Sequence, residues 1–175
     1  MHPRRFLLKP FRGEGNPAGV TIGGSIGRRA DSLSVHCEVR GNLSKVSIPA
    51  AAEAPRRKDR LWEETCLELF LGTADSMEYW EFNFSPSGHW NAYRFTRYRE
   101  GMREEPAITS LSFDVRRDGE ALTLTAEFGV GKIVPLFLVG LGKSLLLVLI
   151  AVLCGVVIAV TAAAGKALGP GAVIL

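Results

Sequence analysis

Between Glu78 and Phe95 apolar and polar residues alternate on both sides of one turn. Trp80, Phe82 and Phe84 share one parity, and Tyr79, Glu81 and Asn83 the other. Ser85-Pro86-Ser87-Gly88 supplies turn chemistry, with Pro fixing φ and Gly closing. His89-Trp90-Asn91-Ala92-Tyr93-Arg94-Phe95 follows as the return strand. A period of two over this length excludes a helix and predicts an antiparallel hairpin with one apolar face. The apolar parity, Trp80, Phe82 and Phe84, is expected to be core.

The same pattern recurs along the body. Leu33 to Val39 alternates, Gly41-Asn42 offers a turn, and Leu43 to Ile48 is expected to return as its partner strand. Residues 50–60 read as a break, with Arg56-Arg57-Lys58 on a solvated loop. Leu61 to Leu71 is apolar on both faces in its second half except for Glu68, which suits a strand inside a sandwich. Ile108 to Val115 and Ala121 to Phe128 form a further expected hairpin around Arg117-Asp118-Gly119. Gly23-Gly24-Ser25-Ile26-Gly27 lacks dinucleotide-binding spacing and reads as a loop. Seven or eight short strands with turns between them predict an all-β antiparallel sandwich.

From Ser144 to Ala164 the chain runs for 21 residues without a charge, between Lys143 and Lys166. As a helix at about 1.5 Å per residue this run matches a hydrocarbon layer of ~30 Å. The expected architecture is therefore a β-sandwich over residues 1–132 followed by a hydrophobic tail, 133–175, with a transmembrane helix at 144–164. The N-terminal Phe6-Leu7-Leu8 is cut short by Lys9, which argues against a secretion signal and for a cytoplasmic body held to a membrane by its C-terminus.

Charge narrows the partners. The net charge is +3, and residues 128–175 hold no acid and only Lys132, Lys143 and Lys166. The body is thus neutral, which argues against nucleic acid, whose phosphates require clustered cations. Gly140-Leu141-Gly142-Lys143-Ser144 lacks the first glycine of a phosphate loop, because Phe137 stands in its place. Cys37, Cys66 and Cys154 form no C-x-x-C pair, so neither a disulfide framework nor a zinc site is expected. His36 and His89 are scattered and read better as hydrogen-bonded strand residues than as metal ligands. Glu63, Glu64, Glu68 and Glu81 could pair as glycosidase carboxylates only at a separation that spacing does not fix. No catalytic residue, cofactor or metal is assigned, and the chain is not expected to be an enzyme.

What remains is binding. The 78–95 hairpin collects aromatic rings, which stack on the C–H faces of sugars, with carboxylate, amide and guanidinium groups that bind hydroxyls directionally. Glu81, Asn83, Asn91 and Arg94 read equally well as site residues or as a surface network. Glu68, alone in an apolar strand, needs a partner if buried, and Arg94 is the expected one.

Leu61-Trp62-Glu63-Glu64-Thr65-Cys66-Leu67-Glu68-Leu69-Phe70-Leu71, then Tyr79 to Phe95, then Tyr98-Arg99-Glu100-Gly101-Met102, resembles the DOMON-like domain proteins, relatives of family 9 carbohydrate-binding modules. The resemblance covers about residues 5–130 and is strongest over 61–102. It implies a sandwich that binds a sugar or haem rather than one that catalyses, with binding roles at Glu68, Trp80, Glu81, Asn83, Trp90 and Arg94. The ligand-binding set is thus Glu68, Trp80, Glu81, Asn83, Trp90, Asn91 and Arg94, with a carbohydrate as the expected ligand. Haem is the alternative and would need an axial pair from Met77, Met102 and His89; a structural module without a small ligand is the other. The sequence departs from the family after Lys132, where closing strands give way to Leu/Val/Ala/Gly sequence. That replacement implies either an acquired membrane tail or a changed reading frame.

Overall fold

The computed structural model describes residues 3–10, 19–29, 31–73, 76–133, 145–153 and 156–163, with backbone alone described for the last two segments. They form strands β1 (Arg4–Leu7), β2 (Lys9–Pro10), β3 (Val20–Arg29), β4 (Ser32–Gly41), β5 (Cys66–Thr73), β6 (Tyr79–Phe84), β7 (Trp90–Phe95), β8 (Arg103–Glu104), β9 (Phe113–Asp118), β10 (Ala121–Gly129), β11 (Leu145–Leu153) and β12 (Val156–Ala163). They make two sheets, one of order β1-β3-β4-β10-β9 and one of order β2-β12-β11-β5-β6-β7-β8. Every ladder is antiparallel.

The expected alternation builds the core. Ile22, Val35, Leu122, Leu124 and Phe128 of the first sheet meet Leu69, Leu71, Phe82 and Phe84 of the second, all buried. Phe128 joins the layers, with ring centroids 4.9 Å from Phe82 and 5.7 Å from Phe84. Trp80, Phe82 and Phe84 all belong to this core. The Ser85–Gly88 turn closes as expected, through Gly88 N–H to the Ser85 carbonyl at 2.9 Å. Gly88 has φ +90°, and a Cβ there would lie 3.0 Å from Pro55.

Three local expectations are corrected. Leu43–Lys45 forms a 3-10 turn instead of a returning strand. Oδ1 of Asn42 accepts from the Ser44 N–H at 3.2 Å and the Ser44 hydroxyl at 2.5 Å. Such local side-chain bonding competes with a ladder. The partners of β4 are instead β3 and β10.

The glycine stretch 23–27 is the middle of β3 rather than a loop. A Cβ on Gly24 would stand 1.9 Å from the His36 carbonyl oxygen and 2.9 Å from the Phe6 ring. Glycine is used here for close approach between strands. In the last hairpin, β9 starts only at Phe113, and Gly119-Glu120 forms the connection to β10.

The third correction concerns the apolar run. Over 144–164 the structure has two strands, β11 and β12, where the sequence predicts a helix. β11 pairs with β5 from Leu145↔Thr73 to Val152↔Cys66, and β12 pairs with β11 and β2. Absence of charge does not separate a buried strand from a buried helix. The run is rich in β-branched residues, and a strand flanked on both edges reads as continuous apolar sequence. Among the described residues no helix is long and apolar enough to cross a membrane. Cys154, Lys143, Lys166 and the 140–144 segment lie outside the described residues.

Candidate functional site

Strand parity divides the expected site between two faces of the seven-stranded sheet. Trp80 faces Arg94 across the β6–β7 ladder, and Phe84 faces Trp90. These pairs share the inner parity. Trp80 and Trp90 are each 8% exposed and belong to the core, so neither ring offers a free stacking face. Nε1 of Trp80 donates to Oε2 of Glu105 at 2.9 Å. Arg94 lies over the Trp80 ring at 5.6 Å and donates to both carboxylate oxygens of Glu78, at 2.8 and 2.9 Å.

Arg94 is therefore not the partner of Glu68. Glu68 lies directly opposite Asn83, and Asn83 opposite Asn91, on the other face. The next register position sets Phe70 opposite Glu81, Glu81 opposite Tyr93, and Tyr93 opposite Glu104. The one after sets Gly72 opposite Tyr79 and Tyr79 opposite Phe95. The structure thus brings Glu68, Glu81, Asn83 and Asn91 together on the outer face and leaves Trp80, Trp90 and Arg94 on the inner one.

The polar floor of this face is well enclosed. Asn83 and Asn91 are fully buried, Glu68 is 7% exposed and Glu81 8%. Nδ2 of Asn83 donates to Oε1 of Glu81 at 2.8 Å, and its Oδ1 accepts from the Cys66 thiol at 3.6 Å. Nδ2 of Asn91 lies within hydrogen-bonding reach of the Tyr93 hydroxyl at 2.7 Å, Oε1 of Glu104 at 3.0 Å and the Lys58 carbonyl at 3.1 Å. The Tyr93 hydroxyl donates to Oδ1 of Asp59 at 2.5 Å. Among the described residues no hydrogen-bond partner is found for the Glu68 carboxyl.

Electrostatics separates the two acids. Burial, reinforced by Glu81, pushes the Glu68 carboxyl up to about 8. Burial also raises Glu81, but the amide hydrogen of Asn83 opposes that rise. At neutral pH Glu68 keeps its proton while Glu81 is the hydrogen-bond acceptor. One face thereby presents an acidic donor and a carboxylate acceptor on diagonally adjacent strand positions.

Aromatic rings flank this floor. The Trp62 ring meets Tyr93 edge-on at 5.5 Å, and Tyr79 stacks on Phe95 at 4.6 Å and 5°. Trp62, Phe70 and Tyr79 are partly exposed. Trp62 sits in the 3-10 turn Leu61–Glu63 just before β5. Sequence reasoning did not assign Tyr93, Trp62 or Asp59 to the site. The parity of Asn91, Tyr93 and Phe95 could have found Tyr93, whereas Trp62 and Asp59 reach the face through the preceding loop.

This fold has solved counterparts. A protein of Bacteroides uniformis to which carbohydrate binding is ascribed matches with a TM-score of 0.67 at 13% identity, over 91% of this chain and 77% of that one. A family 9 carbohydrate-binding module of Caldicellulosiruptor kristjanssonii in complex with glucose matches with a TM-score of 0.49 at 10% identity, over 90% of this chain and 73% of that one. The same kind of module in complex with cellotriose gives 0.46 at 10%, over 85% and 65%. No protein-family model matches the chain, and no curated protein does. At these identities the likeness is one of fold.

The remaining candidates do not assemble. Met77 and Met102 are exposed at 72% and 48%, and the His89 ring accepts from the Arg56 N–H at 3.2 Å. The His36 ring shares a hydrogen bond with the Thr125 hydroxyl at 3.2 Å. Among the described residues no group of three or more His, Cys, Asp or Glu is placed to hold a metal ion.

Proposed function

We propose that the chain is a non-catalytic, DOMON-like sandwich that binds carbohydrate on the outer face of its seven-stranded sheet, around Glu68, Glu81, Asn83 and Asn91. The observation that carries this reading is Glu68. It is a buried carboxyl with no hydrogen-bond partner among the described residues, set between apolar strand neighbours and diagonal to a second acid. A buried polar group without a partner costs free energy, and a ligand hydroxyl that supplies one recovers it.

The chemistry favours a neutral polyol. A hydroxyl both donates and accepts, and the face offers a protonated acid beside a carboxylate. An anionic ligand would meet the charge of Glu81. Trp62 and Tyr79 supply partly exposed rings at the margins, suited to the C–H faces of a pyranose. The fold counterpart to which carbohydrate binding is ascribed supports the same reading.

The test is titration calorimetry of the full chain against neutral monosaccharides and oligosaccharides, with Glu68→Gln and Glu81→Gln beside it. The expected result is binding by the wild type, weakened about tenfold or more in each variant with the fold retained. Wild-type protein that binds no member of the panel overturns the proposal.

A further inference from the structure

Beyond the polar floor, the connection from β7 to β8 is built to hold one ring in solvent. Thr96 N–H bonds to the Glu100 carbonyl at 3.1 Å, and Glu100 N–H to the Arg97 carbonyl at 3.0 Å. The Arg97 guanidinium pairs with the Glu100 carboxylate at 2.7 Å. Gly101 has φ +67°, where a Cβ would stand 2.4 Å from the Thr96 hydroxyl. Arg99, which is not glycine, has φ +57°. A left-handed conformation at such a residue carries a cost and persists only where its surroundings impose it.

What imposes it lies on the outer face. The Arg99 N–H donates to the Tyr79 hydroxyl at 3.2 Å, so the turn is tied to the aromatic end of that face. The Arg99 guanidinium lies 5.5 Å from the centre of the Tyr98 ring, and Tyr98 remains 46% exposed. Tyr98 is thus an ordered, exposed aromatic beside Tyr79, on a turn whose strain has no core-packing purpose.

We propose that Tyr98 is a stacking platform for a second sugar ring, so that the site takes an oligosaccharide chain rather than a single sugar. This rests on the carbohydrate reading above. Asn83 and Tyr79 are four positions apart on β6, about 13 Å along an extended strand. That is more than one pyranose ring covers, and Tyr98 lies beside the Tyr79 end. A chain with one ring over Glu68, Glu81 and Asn83 would therefore bring a later ring to Tyr79 and Tyr98. The Arg99 guanidinium, held against the Tyr98 ring, fixes that platform and offers donors to hydroxyls at its rim.

The experiment is calorimetry of the full chain against gluco-, manno- and xylo-oligosaccharide ladders of one to five units, with Tyr98→Ala and Tyr98→Phe. Tyr98 is exposed, so neither variant threatens the fold. In whichever ladder binds, wild-type affinity should rise about tenfold between one and three units. Tyr98→Ala should abolish that rise while leaving monosaccharide affinity within about twofold, and Tyr98→Phe should keep it. Monosaccharide binding without any gain on lengthening overturns the inference but leaves the carbohydrate reading standing. Equal weakening at every length by Tyr98→Ala overturns it too, because Tyr98 would then contact the first ring. No binding to any ladder removes both.

Discussion

Asn83 donates its side-chain amide to the carboxylate of Glu81 at 2.8 Å, two residues along the same strand face, and both groups are buried. Asn83→Ala leaves Glu81 without that donor in an apolar setting. The expected cost is about 2 kcal/mol, from the unpaired carboxylate and the lost side chain. The Glu81 carboxyl should also titrate higher, since the bond that opposes its rise is gone. Urea denaturation and a carbon NMR titration of the carboxyls read the two effects. Unchanged Glu81 titration would contradict the assignment.

Glu68 should make stability fall with rising pH. Its carboxyl is raised from the ordinary 4.5 to about 8 in the folded chain, so the folded state holds a proton that the unfolded state gives up earlier. The contribution is complete below about 4.5, declines as pH rises towards 8, and is level above that. Burial is the larger cause, so the total is at most a few kcal/mol. Glu68→Gln should flatten this slope in thermal melts between pH 5 and 8.

Trp90 behaves as a core residue. Its ring is 8% exposed, and the Arg57 guanidinium lies 4.7 Å from its centre. Trp90→Ala is expected to cost about 3–5 kcal/mol, as large-to-small core changes do. A binding loss in this variant should therefore accompany unfolding in near-ultraviolet circular dichroism. A fully folded Trp90→Ala protein with binding lost would instead give the ring a direct role.

Gly24→Ala should be far more damaging than Gly129→Ala. The added methyl at 24 overlaps the His36 carbonyl oxygen at 1.9 Å, where backbone must shift. Around Gly129 there is nothing within 4 Å. The expected loss is about 3 kcal/mol or more for the first and well under 1 kcal/mol for the second. Comparing the two midpoints in urea checks the close packing of β3 on β4.

Period-two alternation in 33–39, 78–95 and 121–128 determined by itself that the body is antiparallel sheet and that Trp80, Phe82 and Phe84 face a core. It also placed Tyr79, Glu81 and Asn83 on one face, because successive side chains on a strand must point to opposite sides. Only the tertiary structure decided which face each remaining residue joins. Ladder register puts Asn91 beside Asn83 and turns Arg94 inward to Glu78, and no local pattern encodes register between strands. The same holds for the glycine stretch at 23–27 and the apolar run at 145–163. Both become strands because another strand's backbone lies alongside, and that neighbour is distant in sequence.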